Sequence, residues 1–151
     1  MEMINTKNTE EAKKLIKKSE RPIIVKAQSP EFNRKILEYG KFDILLSPEL
    51  SENVKDTVKN INSGLNHVVA KIAAKNGISI GIDLNSLRNL DKKKKAIALS
   101  RIIQNLKIAR KSKAKIKALV FKDAKNTQSL LLSLGASTSQ AKESVYYSKS
   151  F

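Results

Sequence analysis

The chain has 151 residues, of which 30 are Lys or Arg and 14 are Asp or Glu, a formal charge of +16; 40% are hydrophobic and none is cysteine. That length suits a single domain, residues 1–151, with a real core, and the hydrophobic share excludes a disordered chain. The lack of cysteine excludes disulfides, thiolate zinc sites, iron–sulfur clusters and cysteine nucleophiles, while so large a charge implies a polyanionic partner.

In chain order, Glu2 to Asn5 reads as a short strand and about Asn8 to Lys18 as a helix with Asn8 as its cap and Ala12, Leu15 and Ile16 inward. Arg21-Pro22 breaks that helix, and Ile23 to Val25 reads as a buried strand. Ser29-Pro30 opens a helix to Tyr39, and Gly40 ends it in a left-handed turn. Phe42 to Leu46 is the next strand, closed by Ser47-Pro48. A long connection then leads to a helix from about Asn66 to Lys75, whose stripe is Val68, Val69, Ile72 and Ala73.

Ile78 to Leu84 (ISIGIDL) has strong strand character, being β-branched and preceded by a glycine stop. The longest helix runs from about Asp91 to Lys111, with Leu99, Ile102, Ile103, Leu106 and Ala109 at helical spacing. A strand at Ile116 to Phe121 follows, then helices near Thr127 to Leu134 and Ser139 to Tyr146. Strands followed by helices imply an α/β fold on a mainly parallel sheet, barrel-like or doubly wound. A complete eight-unit barrel usually needs at least about 200 residues, so a barrel here is incomplete or open.

No window approaches the roughly 18 consecutive apolar residues of a membrane helix, and the polar start MEMINTKNTEEAKK is unlike a signal peptide, so a cytoplasmic location is expected. The charge is uneven. Residues 1–75 hold 14 basic and 10 acidic side chains, residues 76–151 hold 16 and 4. From Lys92 to Lys122 there is no acid at all, while Lys93, Lys94, Lys95, Arg101, Lys107, Arg110, Lys111, Lys113, Lys115 and Lys122 recur. A solubilising face mixes both signs, so this one is expected to meet phosphates, with Lys94 and Arg101 opposite the apolar stripe and Lys107 and Lys111 on its flank.

No helix-turn-helix, zinc-finger or basic-zipper pattern points to duplex DNA, and aromatics at 5% with no tryptophan make a poor stacking platform. Recognition of folded RNA by phosphate and shape fits better, Tyr146 and Tyr147 being more apt to pack than to stack on bases. His67, the only histidine, cannot build the His/Asp clusters of metal phosphoesterases and reads as a capping or packing residue. An enzyme reading, a reduced metal-dependent phosphoesterase, remains in Asp43, Asp83 and Asp123 if a favourable fold brings them around a metal, and a general RNA-binding protein is a further alternative. No GxGxxG, GxxxxGK[ST] or GxSxG motif is present.

Leu65 to Leu90, LNHVVAKIAAKNGISIGIDLNSLRNL, resembles the signature of the ribonuclease P protein component 3 family of archaea and eukaryotes. FDILLSP from Phe42 and LLLSLGASTSQAKESV from Leu130 are similar to further segments of that family in the same order, so the resemblance spans about Pro22 to Val145. It implies a TIM-barrel-like (β/α) fold related to polymerase-and-histidinol-phosphatase (PHP) domains without their metal ligands. It also implies a protein subunit that assists a catalytic RNA in removing the 5′ leader of precursor tRNA, pairs with protein component 2, holds no cofactor, and leaves magnesium to the RNA. Arg88 matches a basic position of the family motif and is expected to contact RNA; the alternative is an ion pair with Asp91. Family members are usually longer at the N-terminus, so the chain is expected to begin near their third strand. The loop FKDAKNTQS after Phe121 is shorter than theirs. An incomplete barrel exposes sheet edges, and the Glu2 to Asn5 segment, a second copy or a partner is expected to cover one of them.

Overall fold

A computed structural model describes residues 2–51, 62–120 and 122–146, without the Tyr146 side chain. The connection at 52–61, Phe121 and Tyr147 lie outside the described residues. Among the described residues five strands alternate with helices: β1 Glu2–Ile4, α1 Thr9–Lys18, β2 Ile23–Lys26, α2 Pro30–Tyr39, β3 Ile44–Leu46, α3 His67–Lys75, β4 Ser79–Asp83, α4 Leu84–Arg88, α5 Lys92–Ser112, β5 Ile116–Leu119, α6 Ala124–Ser133 and α7 Thr138–Tyr146.

Local chemistry starts and stops these helices where the sequence indicates. The side chains of Asn8, Ser29, Asn66 and Asp91 accept backbone N–H groups at the first turns of α1, α2, α3 and α5. Gly40 ends α2 at φ 74°, a conformation that favours glycine, and its amide donates to the Ile36 carbonyl. Ser137 and Gln140 cap α7 reciprocally, each side chain accepting the other's backbone N–H, while the Gln140 amide also donates to the Leu106 carbonyl at 3.0 Å.

The strands pair in parallel in the order β1-β2-β3-β4-β5. Neighbours in space are neighbours in sequence, so the order never reverses. This removes the doubly wound alternative, which requires a reversal. Residues 2–4 pair along β2 and cover its edge, as expected of the first segment.

One face of the sheet packs against the helices and is apolar, and the other carries a smaller apolar cluster beside Met3, Lys26 and Lys117. On one face Ile4, Val25, Leu45, Ile80, Ile116 and Ala118 join helix residues such as Ile16, Ile36, Ala70, Ile102 and Leu106 in the main core. On the other, Ile24, Ile44, Leu46 and Leu119 form a separate buried cluster. Gly81 lies on that second face. A Cβ there would sit 2.7 Å from Ile44 Cγ2 and 3.1 Å from Leu46 Cδ1, so only glycine fits without displacing both.

Some expectations need correction. Leu15 is 38% exposed and Val68 55%, so neither belongs to its helix's buried stripe. β4 stops at Asp83 because that carboxylate accepts the amides of Asn85 and Ser86 and turns the chain into α4, a helix not anticipated from the sequence. α6 begins at Ala124, since Asp123 caps it through the Asn126 amide.

Candidate nucleic-acid interface

Helices α5 and α6 both begin at the carboxyl edge of the sheet, and the short α4 lies between β4 and α5. Leu84 and Leu87 are each 8% exposed and fasten α4 to the core, which leaves Arg88 exposed at its last turn. Three residues on, Asp91 caps α5, so Lys92, Lys93, Lys94 and Lys95 form its first turn. Lys122 lies just before the Asp123 cap of α6.

Together these pieces line an open cavity of about 470 Å³. Leu84, Leu87, Leu99 and Leu130 supply its apolar lining; Arg88, Lys95 and Lys122 supply cations; Asp123, Asn126 and Thr127 complete the wall. Arg88, Lys95 and Lys122, three basic residues singled out in the sequence, thus meet at one opening although 34 positions separate the first from the last.

Three carboxylates at this edge are engaged by backbone. Asp83 accepts from the Asn85 and Ser86 amides and the Ser86 hydroxyl, Asp91 from the Lys94 amide at 2.8 Å, and Asp123 from the Asn126 amide at 3.1 Å. Among the described residues Arg88 forms no ion pair with Asp91. The ion pairs Lys13–Glu10, Arg21–Asp43, Arg34–Glu38 and Lys35–Glu31 all fall in the first half of the chain.

Helix dipoles sharpen the contrast. α1 places Glu10 and Glu11 in its first turn and Lys17 and Lys18 in its last, the arrangement that favours a helix. α5 places four lysines at its positive end, which costs helix stability and concentrates positive potential beside the cavity.

Lys107, Arg110, Lys111, Lys113 and Lys115 lie elsewhere. They occupy the far end of α5 and the turn into β5; all five are exposed. Lys94 and Lys111 are 17 residues apart, which at 1.5 Å per residue puts them about 25 Å apart along the axis. The single phosphate-tracking face expected from the sequence is therefore two groups of cations at opposite ends of one helix. Arg110 also donates to the Gly135 carbonyl at 3.5 Å, and Lys113 takes the left-handed position that ends α5.

Arg101 was expected on the solvent side and is half-buried instead, donating to the Glu49 carbonyl at 3.0 Å. α5 is flanked by α3 and by a 3-10 turn at Pro48–Leu50, and Arg101 faces that turn. Lys107, expected on the flank, is exposed.

The three acids of the enzyme reading do not converge. Asp43 lies at the amino end of β3, where it pairs with Arg21 and accepts the Ile23 amide, both at 2.8 Å. Asp83 is at the carboxyl end of β4, five residue levels away by the strand register, or about 16 Å. Among the described residues no group of three His, Cys, Asp or Glu side chains could hold a metal ion. His67 is exposed at the start of α3, and the capping role belongs to Asn66.

Sequence reasoning missed Glu49. It is 3% exposed in the turn after β3. Burial above all, and then the nearby charge of Asp83, push its carboxyl up to about 7 against the pull of its own backbone amide, Ser47 and Arg101. One Glu within SPEL carries no signal of burial, because what buries it is α5, more than forty residues away.

No model of a known protein family matches the chain. Ribonuclease P protein component 3 of Methanococcus maripaludis (strain C6) is 33% identical over 114 residues, 72% of this chain and 44% of that protein. The protein of the same name from Methanosarcina mazei is 38% identical over 89 residues, 59% of this chain and 34% of that one. The chain spans less than half the length of these curated relatives. Among solved structures, a chain in the cryo-EM structure of archaeal ribonuclease P with mature tRNA has the same fold, with a TM-score of 0.78 over 93% of this chain and 62% of that one at 24% identity.

Proposed function

The chain is related by sequence to archaeal ribonuclease P protein component 3, and from that kinship we propose that it is a protein subunit of ribonuclease P. In this reading it binds the catalytic RNA and assists removal of the 5′ leader from precursor tRNA without performing the cleavage. Its partners are the ribonuclease P RNA, the precursor tRNA in the assembled particle and protein component 2. Magnesium is held by the RNA, and the particle works in the cytoplasm.

The sequence match along 72% of the chain carries the proposal. The charge arrangement supports it, since Arg88, Lys93, Lys94, Lys95 and Lys122 gather at the carboxyl edge and Lys107, Arg110, Lys111, Lys113 and Lys115 at the other end of α5. Each group can neutralise phosphates, while Arg101 serves packing. The unreversed order of five parallel strands supports the finer fold reading, an arc of a PHP-type barrel.

Filter binding to ribonuclease P RNA across a salt series tests the RNA contact. The affinity should fall steeply with salt, and replacing Lys107, Arg110 and Lys111 by Gln should flatten the slope by about 0.7 to 0.9 per lost phosphate contact. A slope unchanged by every substitution at both ends of α5 would refute it.

A further inference from the structure

We propose that the cavity between α4, α5 and α6 receives one unpaired nucleotide of the bound RNA, its base against the leucines and its phosphate against the cations. This rests on the RNA-binding reading above and adds a defined pocket to it.

The occupant follows from the chemistry of the walls. Leu130 remains 37% exposed beside Leu84, Leu87 and Leu99, an apolar surface that the fold leaves within reach of a ligand. Arg88, Lys95 and Lys122 line the same space, and the one carboxylate there, Asp123, already accepts the Asn126 amide. The Asn126 side chain is exposed and forms no hydrogen bond among the described residues, so its amide can both donate to and accept from a base edge.

A free phosphate would use the cations and leave the leucines wet. An apolar protein segment would cover the leucines and trap three cations against nonpolar surface, which is costly. A nucleotide matches both walls, and about 470 Å³ lies within the range of small-ligand sites. Recognition of an extruded base is also the usual way in which proteins read RNA loops and bulges.

The test compares the whole chain's affinity for a mixed-sequence RNA decamer and for an abasic decamer of equal length and charge, by fluorescence anisotropy. The base-bearing strand should bind about tenfold more tightly, the factor expected from removing roughly 55 Å² of apolar base surface from water. Leu130→Asn, at an exposed position, should close that gap while leaving the salt dependence unchanged. As a second readout on the unaltered chain, uridine 5′-monophosphate should shift the Leu99 and Leu130 methyl resonances and inorganic phosphate should not.

Equal affinity for the two decamers, or a gap that survives Leu130→Asn, overturns the pocket and leaves the RNA-binding reading intact. Loss of component 2 binding in Leu130→Asn with an unchanged gap assigns the cavity to a protein and also overturns the proposal. Failure to bind either decamer or ribonuclease P RNA defeats both readings together.

Discussion

Glu49 is a carboxyl group without adequate solvation: it is 3% exposed, and its Oε2 accepts no hydrogen bond among the described residues. Its carboxyl, raised from an ordinary 4.5 to about 7, binds a proton in the folded state that the unfolded chain has released. Between those values the folded state holds more protons, so stability falls as pH rises from about 4.5 to about 7 and levels off above. The full loss is on the order of 3 kcal/mol. Urea unfolding from pH 4 to 8 should show that decline, and Glu49→Gln should flatten it and be the more stable protein at pH 8; an identical slope in the variant contradicts the assignment. Arg101 gives a second residue-level prediction. Since it donates to the Glu49 carbonyl, Arg101→Met should cost about 1–3 kcal/mol of stability. The same variant should leave the salt slope of RNA binding unchanged, whereas a phosphate contact would lower it.

The first turn of α5 sets binding against stability. Lys92→Glu and Lys93→Glu should each stabilise the fold by about 0.3–1 kcal/mol, through the helix dipole, while weakening RNA affinity; thermal melts and filter binding on the same samples read both signs. If both quantities fall, the lysines hold the helix and are not there for a ligand. Strand β4 offers a separate check, because Gly81→Val would drive methyl groups into Ile44 and Leu46 and should cost about 1–3 kcal/mol by denaturant midpoint. The strands, the long helices and the caps at Asn8, Ser29, Asn66 and Asp91 were legible because each signal is local: a β-branched run, a 3.6-residue period, a side chain placed to accept the next turn's amides. α4 was not, since its five residues are too few to show a period. Nor was the place of Arg101, because a helical wheel gives an angle to the helix's own stripe and is silent on the Pro48–Leu50 turn at its flank. Of the site, the residue types were legible and their grouping was not. Lys95 and Lys111 look alike in sequence; only the course of α5 between them sends one to the cavity and the other to the far end.

At the scale of the molecule the two cation groups, about 25 Å apart, can reach separate stretches of one folded RNA. Charge removal at one end should then add to removal at the other in the logarithm of affinity, as distant sites do. The acids that could have formed a catalytic centre are divided between the two edges of the sheet, with Asp43 paired to Arg21 at one and Asp83 capping α4 at the other. In the proposed role the bond cleavage belongs to RNA and the charge neutralisation to this chain. The most direct measurement is precursor-tRNA cleavage by the cognate ribonuclease P RNA, with and without the chain, at limiting magnesium. Leader removal should be faster when the chain is added, and the chain alone should cleave nothing. A rate that the chain leaves unchanged, or hydrolysis by the protein in the absence of RNA, would contradict that role.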